Sequence, residues 1–259
     1  MSDPVRLERD GAIASLVLSD PPLNLFGEAT WSSLASCMDE VEAADDIRCL
    51  VWRAEGDVFT GGVDVNVFAQ TKTEDADEVF ASLLRVVQRI EARPYPTLAL
   101  VHGLCLTAGL ELSLGCDMIW ASESARFGLV ETVVGLTPGA GGTQRMAERA
   151  GPARAREFVM SGGLYDAATL ERWNVVNRVL AGDDLTEKGM RFAQRLADGP
   201  TKSHAATKHV IRGWLDGGIE EADRRTPSAS GRLFETEDLQ NAVQSFLRDG
   251  PGKATFEGR

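Results

Sequence analysis

The sequence predicts a mixed α/β fold, and the order of elements near the N-terminus is the main observation behind this prediction. The runs Val5–Arg9 and Ile13–Leu18 flank Asp10-Gly11, a strong two-residue hairpin turn signal. An amphipathic stretch at Glu28–Ala44 and a buried run at Cys49–Arg53 follow. The resulting β-β-α-β order is typical of sheets covered by helices.

Further elements follow in the middle of the chain. Apolar positions recur at helical spacing over Asp75–Arg93, and the polar segment Phe68–Ala76 before this helix is a candidate mobile rim. Leu98–Val101 is predicted to be a buried strand that leads into a short helix opening at Thr107-Ala108-Gly109. Arg126-Phe127-Gly128 is predicted to be another short strand.

The remainder of the chain is predicted to be mostly helical, with Asp166 capping one helix and Gly162 ending another. The predicted elements are helices Gly141–Ala150, Pro152–Met160, Ala167–Trp173, Asp184–Ala197, Thr201–Leu215, Ile219–Arg225 and Thr236–Arg248, with a short strand at Val175–Val179. Gly199-Pro200 marks a change in composition, so we expect an α/β core over residues 1–198 and a helical region over residues 199–259.

Length, composition and charge restrict the possible partners. The chain has 259 residues, of which 43% are apolar, enough for a sizeable core. Its net charge of −12 argues against nucleic acid or an anionic membrane as the main partner. Residues 1–12 contain no signal-peptide core. Cys105 and Cys116 lie in an apolar run and are predicted to be free thiols, so we expect a protein of the reducing cytoplasm.

The apolar stretch Leu98–Ala121 contains one carboxylate that needs a chemical explanation. Glu111 lies one turn inside a predicted helix and is flanked by leucines, and burying a charge is costly unless it is paired. The start of a helix offers free backbone N–H groups. We therefore expect this stretch to supply half of an oxyanion hole and one catalytic carboxylate, although a structural glutamate with a buried partner is the alternative.

Several other catalytic arrangements are not found in the sequence. The glycine-rich run 139–142 lacks the lysine and hydroxyl residue of a phosphate-binding loop. The chain has no G-x-S-x-G nucleophile motif. Its three histidines are scattered, so we expect no metal site.

Seen together, these segments resemble those of the crotonase (enoyl-CoA hydratase/isomerase) superfamily over nearly the whole chain. The pieces that carry the resemblance, in order, are Pro22-Leu23-Asn24-Leu25, Phe59-Thr60-Gly61-Gly62-Val63-Asp64, Val101-His102-Gly103, Gly109-Leu110-Glu111-Leu112, Cys116-Asp117, Phe127-Gly128-Leu129-Val130-Glu131, Gly139-Ala140-Gly141-Gly142-Thr143-Gln144-Arg145 and Phe256-Glu257-Gly258. The resemblance implies a core built as a spiral of β-β-α turns and a C-terminal helical region that mediates trimerisation, with two trimers commonly forming a hexamer.

The resemblance also implies an acyl-CoA thioester as ligand, with no separate cofactor because coenzyme A is part of the substrate. It places the catalytic acids of an enoyl-CoA hydratase at Glu111, which would deprotonate water, and at Glu131, which would protonate the α-carbon. The thioester oxygen would be bound by the backbone N–H groups of Val63 and Ala108, because the reaction passes through an enolate-like oxyanion. The family usually has three glycines where this chain has Thr107-Ala108-Gly109.

The remaining ligand contacts implied by the resemblance surround these groups and extend towards the nucleotide end of coenzyme A. They are Leu25, Gly61, Gly62, Asp64, Val65, Asn66, Gly109, Lys253 and Phe256. Asp64 is expected mainly to order its loop, and Lys253 and Phe256 could reach the site of a neighbouring subunit. Two other readings stay open: a Δ3,Δ2-enoyl-CoA isomerase or another crotonase-type reaction, and a non-catalytic acyl-CoA-binding relative.

Overall fold

The computed structural model describes residues 3–259 and contains two β-sheets surrounded by helices. The strands are β1 Val5–Asp10, β2 Ile13–Leu18, β3 Cys49–Ala54, β4 Thr97–Val101, β5 Leu104–Leu106, β6 Met118–Ser122, β7 Arg126–Gly128, β8 Tyr165–Asp166 and β9 Arg178–Leu180. The α-helices are α1 Glu28–Ala43, α2 Asn66–Gln70, α3 Ala76–Glu91, α4 Thr107–Leu114, α5 Gly142–Ala150, α6 Pro152–Ser161, α7 Ala167–Arg172, α8 Leu185–Ala197, α9 Thr201–Gly231 and α10 Glu237–Asp249. Short 3-10 helices lie at Glu131–Val134, Gly182–Asp184 and Arg232–Glu235.

The larger sheet has the strand order β1-β2-β3-β4-β6-β9 and is parallel except for the antiparallel hairpin β1–β2. Neighbouring parallel strands need a crossover connection. Helix α1 lies in the crossover from β2 to β3, and helix α3 lies in the crossover from β3 to β4. Every residue of β2 and β4 is buried, as expected for strands covered on both faces. Helix α8 covers one face, where its Ala193 and Ala197 join the cluster formed by Val51 and Leu98.

The smaller sheet, in the order β5-β7-β8, determines where the two glutamates lie. Strands β5 and β7 are parallel, and Leu106 pairs with Gly128 in their register. The residues that follow two parallel strands emerge at the same edge of a sheet. Helix α4, which carries Glu111, and the 3-10 helix that begins at Glu131 therefore start side by side.

Most of the predicted elements are confirmed within one or two residues. The strand predicted at Val175–Val179 is wrong by three residues at its start, since the observed strand begins at Arg178. The backbone N–H groups of Val175 and Val176 donate instead to the carbonyl of Leu170, near the end of the preceding helix. The helix predicted to end at Arg225 continues to Gly231 through Pro227, after a break at Gly217-Gly218. The candidate rim Phe68–Ala76 begins inside helix α2. Strands β5, β6 and β8 were not predicted.

The C-terminal region carries many exposed apolar side chains on α9, α10 and the turn between them. They are Ile211, Trp214, Ile219, Phe234, Val243, Phe246 and Leu247, each at least half exposed. Where exposed apolar side chains adjoin one another, they mark a protein–protein contact in many proteins. Within residues 3–259, none of the helices is long and apolar enough to cross a membrane.

Candidate active site

Glu111 is buried in the middle of helix α4, where its side chain is only 3% exposed. Its Oε1 atom accepts hydrogen bonds from the backbone N–H groups of Ala140, at 2.8 Å, and Gly142, at 2.9 Å. A Cβ atom at position 142 would lie only 2.9 Å from Cγ of Glu111. A residue larger than glycine would therefore push the backbone N–H of position 142 away from the carboxylate. The glycine-rich run that fails as a phosphate loop is therefore the partner of Glu111.

Arg145 holds this glycine-rich loop in place. Its buried side chain donates from Nη1 to the carbonyl of Gly141, at 3.3 Å, and from Nη2 to Oε2 of Glu91, at 2.6 Å. Its positive charge also favours the ionised form of Glu111. A single arginine thus supports both the backbone donors and the charge of the carboxylate that they bind.

Glu131 is the first residue of its 3-10 helix and is also buried, with 8% exposure. Among residues 3–259, its Oε2 atom has no hydrogen-bond partner. Burial, reinforced by the negative charge of Glu111, raises the pKa of Glu131 to about 7. Burial also raises the pKa of Glu111, but the N–H groups of Gly142 and Ala140 and the charge of Arg145 oppose that rise. The two carboxyls therefore lie in different environments: backbone N–H groups and Arg145 favour the ionised form of Glu111, whereas burial and the charge of Glu111 favour the protonated form of Glu131.

Both glutamates line one cavity together with Val63 and Ala108. Its remaining walls are mostly apolar and consist of Trp31, Phe68, Phe80, Leu83, Leu136, Thr137, Gly139 and Ala140. The cavity volume is about 20 Å³, which is sufficient for one water molecule. The rings of Phe68 and Phe80 stack with their centroids 6.4 Å apart. At this volume the cavity has no room for an acyl chain unless some of its walls move.

The backbone around Val63 and Ala108 is placed by neighbouring segments. A bridge pairs Val63 with Phe26, and Gly61 N–H donates to the carbonyl of Leu23, at 2.8 Å. Ala108 is the second residue of α4, so its N–H has no partner within the helix. The N–H of Val63 donates to Oγ1 of Thr107, at 3.1 Å, on the residue that precedes Ala108.

The other predicted contacts fall into two groups. Close to the cavity, Leu25 packs against Gly61, and Gly109 is enclosed so tightly that an added Cβ would lie 2.2 Å from the methyl group of Thr60. The Oδ1 atom of Asp64 accepts hydrogen bonds from the backbone and side-chain amides of Asn66. Gly62 has a φ angle of 100° and lies against the side chain of Thr107. Val65 and Asn66, which follow a few residues later, are exposed to solvent.

Lys253 and Phe256 are not brought to this cavity by their own chain. Lys253 lies beside Glu237, Gln244 and Arg248 in a separate polar depression. The carbonyl of Phe256 accepts a hydrogen bond from Arg48 at 2.8 Å. None of these partners lines the cavity of the two glutamates, so any contact of Lys253 and Phe256 with that cavity would have to come from a second copy of the chain.

Several residues of the site were not identified from the sequence. Ala140 and Gly142 act as backbone donors, a role that a side-chain pattern does not report. Phe68 and Phe80 lie on different helices, and their meeting depends on how α2 and α3 pack. The substitution at Thr107 was visible, but its hydroxyl contact with Val63 required the structure.

The raised pKa of Glu131 has a consequence for stability that does not depend on activity. Because its folded pKa of about 7 exceeds the ordinary value of 4.5, Glu131 stabilises the fold fully only below about pH 4.5, and this contribution is lost as the pH rises through 7. Relative to Glu131→Gln, the wild type should lose about 3 kcal/mol of unfolding free energy between about pH 4 and pH 8. Urea unfolding at one fixed protein concentration measures this difference.

The exposed Glu123 supplies the matched control for this measurement. Glu123→Gln should change the pH dependence of unfolding by less than about 0.5 kcal/mol, as is usual for surface substitutions. Equal pH dependence in the wild type and Glu131→Gln would mean that Glu131 is not held in a desolvating environment.

Comparisons with known proteins agree on one family. The sequence matches the family model described as "Enoyl-CoA hydratase/isomerase" over residues 8–259. It is 29% identical to a "Probable enoyl-CoA hydratase" of Bacillus subtilis (strain 168) over 257 residues, covering 98% of each chain. A solved structure from Geobacillus kaustophilus HTA426, described as "Enoyl-CoA Hydrates Subunit I", superposes with a TM-score of 0.92 at 29% identity and full coverage of both chains. The enoyl-CoA hydratase of Bacillus anthracis shares the fold, with a TM-score of 0.91 at 24% identity over 99% of this chain and 100% of that one.

Proposed function

Because the chain belongs to the enoyl-CoA hydratase/isomerase family and has the crotonase fold, we propose that it adds water across the 2,3 double bond of a 2-enoyl-CoA thioester. The observation that carries this proposal is the pair of buried carboxyls, Glu111 and Glu131, which line one cavity large enough for a water molecule. Hydration needs one group that accepts a proton and another that donates one. The opposite hydrogen-bonding environments of the two carboxyls suit them to these two tasks.

In the proposed reaction, ionised Glu111 removes a proton from water as the oxygen bonds to the β-carbon of the enoyl group. The electron pair of the double bond moves towards the thioester, whose oxygen becomes an oxyanion. Protonated Glu131 then delivers its proton to the α-carbon, so the product is the 3-hydroxyacyl thioester. The proton taken up by Glu111 returns to Glu131 through solvent before the next cycle.

The oxyanion is assigned in this proposal to donors at Val63 and Ala108. Both residues line the cavity, and a donor placed where charge develops is worth about 3 to 4 kcal/mol of transition-state stabilisation in a protease. The loop with Leu25, Gly61, Gly62, Asp64, Val65 and Asn66, together with Gly109, is proposed to hold the rest of the acyl-CoA. No separate cofactor is required, since coenzyme A arrives with the substrate.

A homotrimer, or a hexamer formed by two trimers, is part of this proposal. The exposed apolar side chains of α9 and α10 supply a surface for association. Lys253 and Phe256 would then contact the acyl-CoA of a neighbouring copy. We propose a cytoplasmic location, because the buried free thiols suit a reducing compartment.

The isomerase reading uses the same site with a single carboxyl. Glu131 could move a proton between the α- and γ-carbons of a 3-enoyl thioester, whereas Glu111 would have no proton to transfer. The bonds from Ala140 and Gly142 that favour the ionised form of Glu111 give this residue a role as a base and therefore support hydration over isomerisation.

An absorbance assay with crotonyl-CoA tests the proposal directly. Hydration should remove the absorbance of the conjugated thioester and yield 3-hydroxybutanoyl-CoA, identified by mass and chromatography. Gain of conjugated absorbance from a 3-enoyl-CoA, without hydration of crotonyl-CoA, would select the isomerase. Binding of acyl-CoA with no turnover of either substrate would select a non-catalytic relative.

The two carboxyls predict a bell-shaped dependence of kcat/KM on pH. Above about pH 7 the rate should fall about tenfold per pH unit, because Glu131 loses the proton that it must donate. At acidic pH the rate should fall again as Glu111 becomes protonated and ceases to act as a base. Measurements of kcat/KM for crotonyl-CoA from about pH 5 to pH 9 provide the test, and a rate that keeps rising above neutral pH would be incompatible with Glu131 as the acid.

A further inference from the structure

Thr107 adopts a backbone conformation that is unusual for its residue type. Its φ angle is 46°, in the left-handed region, where a β-branched side chain is a clear outlier. The residue is buried, with 7% exposure, and immediately precedes Ala108 at the start of α4. Residues held in such conformations cluster at functional sites, where the surrounding structure enforces them.

The hydroxyl of Thr107 lies at one of the two proposed oxyanion donors. Its Oγ1 accepts the N–H of Val63 at 3.1 Å. Within residues 3–259, this is the only hydrogen bond formed by that oxygen, so the hydroxyl proton remains available to a ligand. The N–H of the next residue, Ala108, lacks an intrahelical partner, and Ala108 lines the cavity, so the Thr107 hydroxyl directly precedes a second unused donor at the cavity wall.

The side chain of Thr107 has little room to move, because it lies against Gly62. Its Oγ1 lies so close to Gly62 that a Cβ at position 62 would be 2.5 Å away, and its methyl group would be 3.4 Å from the same point. Threonine has few accessible rotamers because its Cβ is branched. A thioester oxygen could reach the Val63 N–H directly only if this hydroxyl were displaced.

We propose that the hydroxyl of Thr107 is itself an oxyanion donor in this protein. It accepts the N–H of Val63 and donates its own proton to the thioester oxygen, alongside the N–H of Ala108. Val63 then acts through Thr107, because a hydroxyl that accepts a hydrogen bond becomes a stronger donor. This inference rests on the proposed acyl-CoA chemistry and revises one part of it: the Thr107 hydroxyl takes the place of the Val63 N–H as the group that contacts the thioester oxygen.

The test compares Thr107→Val, which replaces the hydroxyl by a methyl group of similar size, with Thr107→Ser, the matched control that keeps the hydroxyl. The first readout is the infrared carbonyl stretch of bound butanoyl-CoA labelled with ¹³C at the thioester carbon, which binds without reacting. The second readout is kcat for crotonyl-CoA. Thr107→Val should lose part of the downward shift of the carbonyl stretch and about 100-fold or more in kcat, as for removal of one oxyanion donor.

Thr107→Ser should retain the carbonyl shift and most of the rate that Thr107→Val loses. An unchanged shift and rate in Thr107→Val would overturn the inference while leaving the proposed function intact. A rate in Thr107→Gly well above the wild type would also overturn it, because the hydroxyl would then obstruct the Val63 N–H. Failure of the wild type to bind butanoyl-CoA would instead contradict the proposed function on which the inference rests.

A measurement on the wild type protects the test against variants that do not fold. In a crystal structure with butanoyl-CoA, Oγ1 of Thr107 should lie within hydrogen-bond distance of the thioester oxygen while still accepting from Val63. A direct bond from Val63 N–H to the thioester oxygen, with the Thr107 side chain rotated away, would overturn the inference.

Discussion

Glu111→Gln and Glu131→Gln are each expected to lower kcat for hydration of crotonyl-CoA by about 100-fold or more, which is the range that general acid–base groups contribute. In Glu111→Gln the amide oxygen can still accept the N–H groups of Ala140 and Gly142, so the loop remains in place while the base is lost. In Glu131→Gln the side chain stays neutral and of equal size, but it has no acidic proton to deliver.

The two losses should not add in the double variant. Both carboxyls serve one proton-transfer sequence, so removing the second after the first has gone should cost little more, as for other catalytic groups that act as a unit. Initial rates of crotonyl-CoA hydration for the single and double variants measure this. Affinity for a non-reactive acyl-CoA, such as butanoyl-CoA, should change far less than the rate, because neither carboxyl is needed to hold the thioester.

A suitable control is Glu123→Gln, which neutralises an exposed carboxylate that does not line the cavity. Its rate should equal that of the wild type. Hydration that survives in Glu131→Gln at more than about a tenth of the wild-type rate would remove Glu131 from the role of acid. Isomerisation that depends on Glu131 alone would instead support the second reading of the site.

The longer helices and strands could be predicted from the sequence because the signals that indicate them lie within each segment. The Asp10-Gly11 turn signal between two short runs indicates the hairpin Val5–Leu18, and the helical spacing of apolar residues indicates helix α3. Strands β5, β7 and β8 are only two or three residues long, so their pairing depends on the tertiary structure. That pairing is what places Glu111 beside Glu131, and only the resemblance to a family could suggest it from the sequence.

The chemistry of the site divides in the same way. The sequence shows a carboxylate in an apolar run at Glu111. The backbone donors that bind it, Ala140 and Gly142, lie about 30 residues later in a glycine-rich loop that is similar in composition to phosphate-binding loops. Thr107 was visible as a departure from three glycines. Its left-handed φ angle and its bond to Val63 are properties of the folded chain, and they change which group would meet the thioester oxygen.

Asn24→Asp is expected to have the largest effect on stability among conservative substitutions near the site. Asn24 is 2% exposed, and its Nδ2 atom donates to the carbonyls of Glu55, at 2.9 Å, Val58, at 2.8 Å, and Phe59, at 3.3 Å. An ionised aspartate would place a negative oxygen against these carbonyls and provide no donor. We expect a loss of about 3 kcal/mol or more of unfolding free energy at pH 8, since buried acceptors lose their partner and a charge is left uncompensated.

The same residue links stability to the site. The carbonyl of Asn24 accepts the hydroxyl of Thr60, at 2.7 Å, and Oγ1 of Thr60 accepts the N–H of Gly62, at 2.9 Å. This chain of bonds ends beside Val63, so the variant should also bind butanoyl-CoA more weakly than the wild type even where it remains folded. The destabilisation should shrink as the pH is lowered, because a protonated aspartate regains one donor.

Asn174→Asp provides a closely matched control, because Asn174 also has a left-handed φ angle, 63° against 51° for Asn24, but is exposed. Its unfolding free energy should stay within about 0.5 kcal/mol of the wild-type value. Urea unfolding of both variants at pH 8 and at acidic pH separates the loss of buried hydrogen bonds from any preference of asparagine for this conformation. Equal destabilisation by the two substitutions would show that backbone conformation, and not the buried amide, makes Asn24 important.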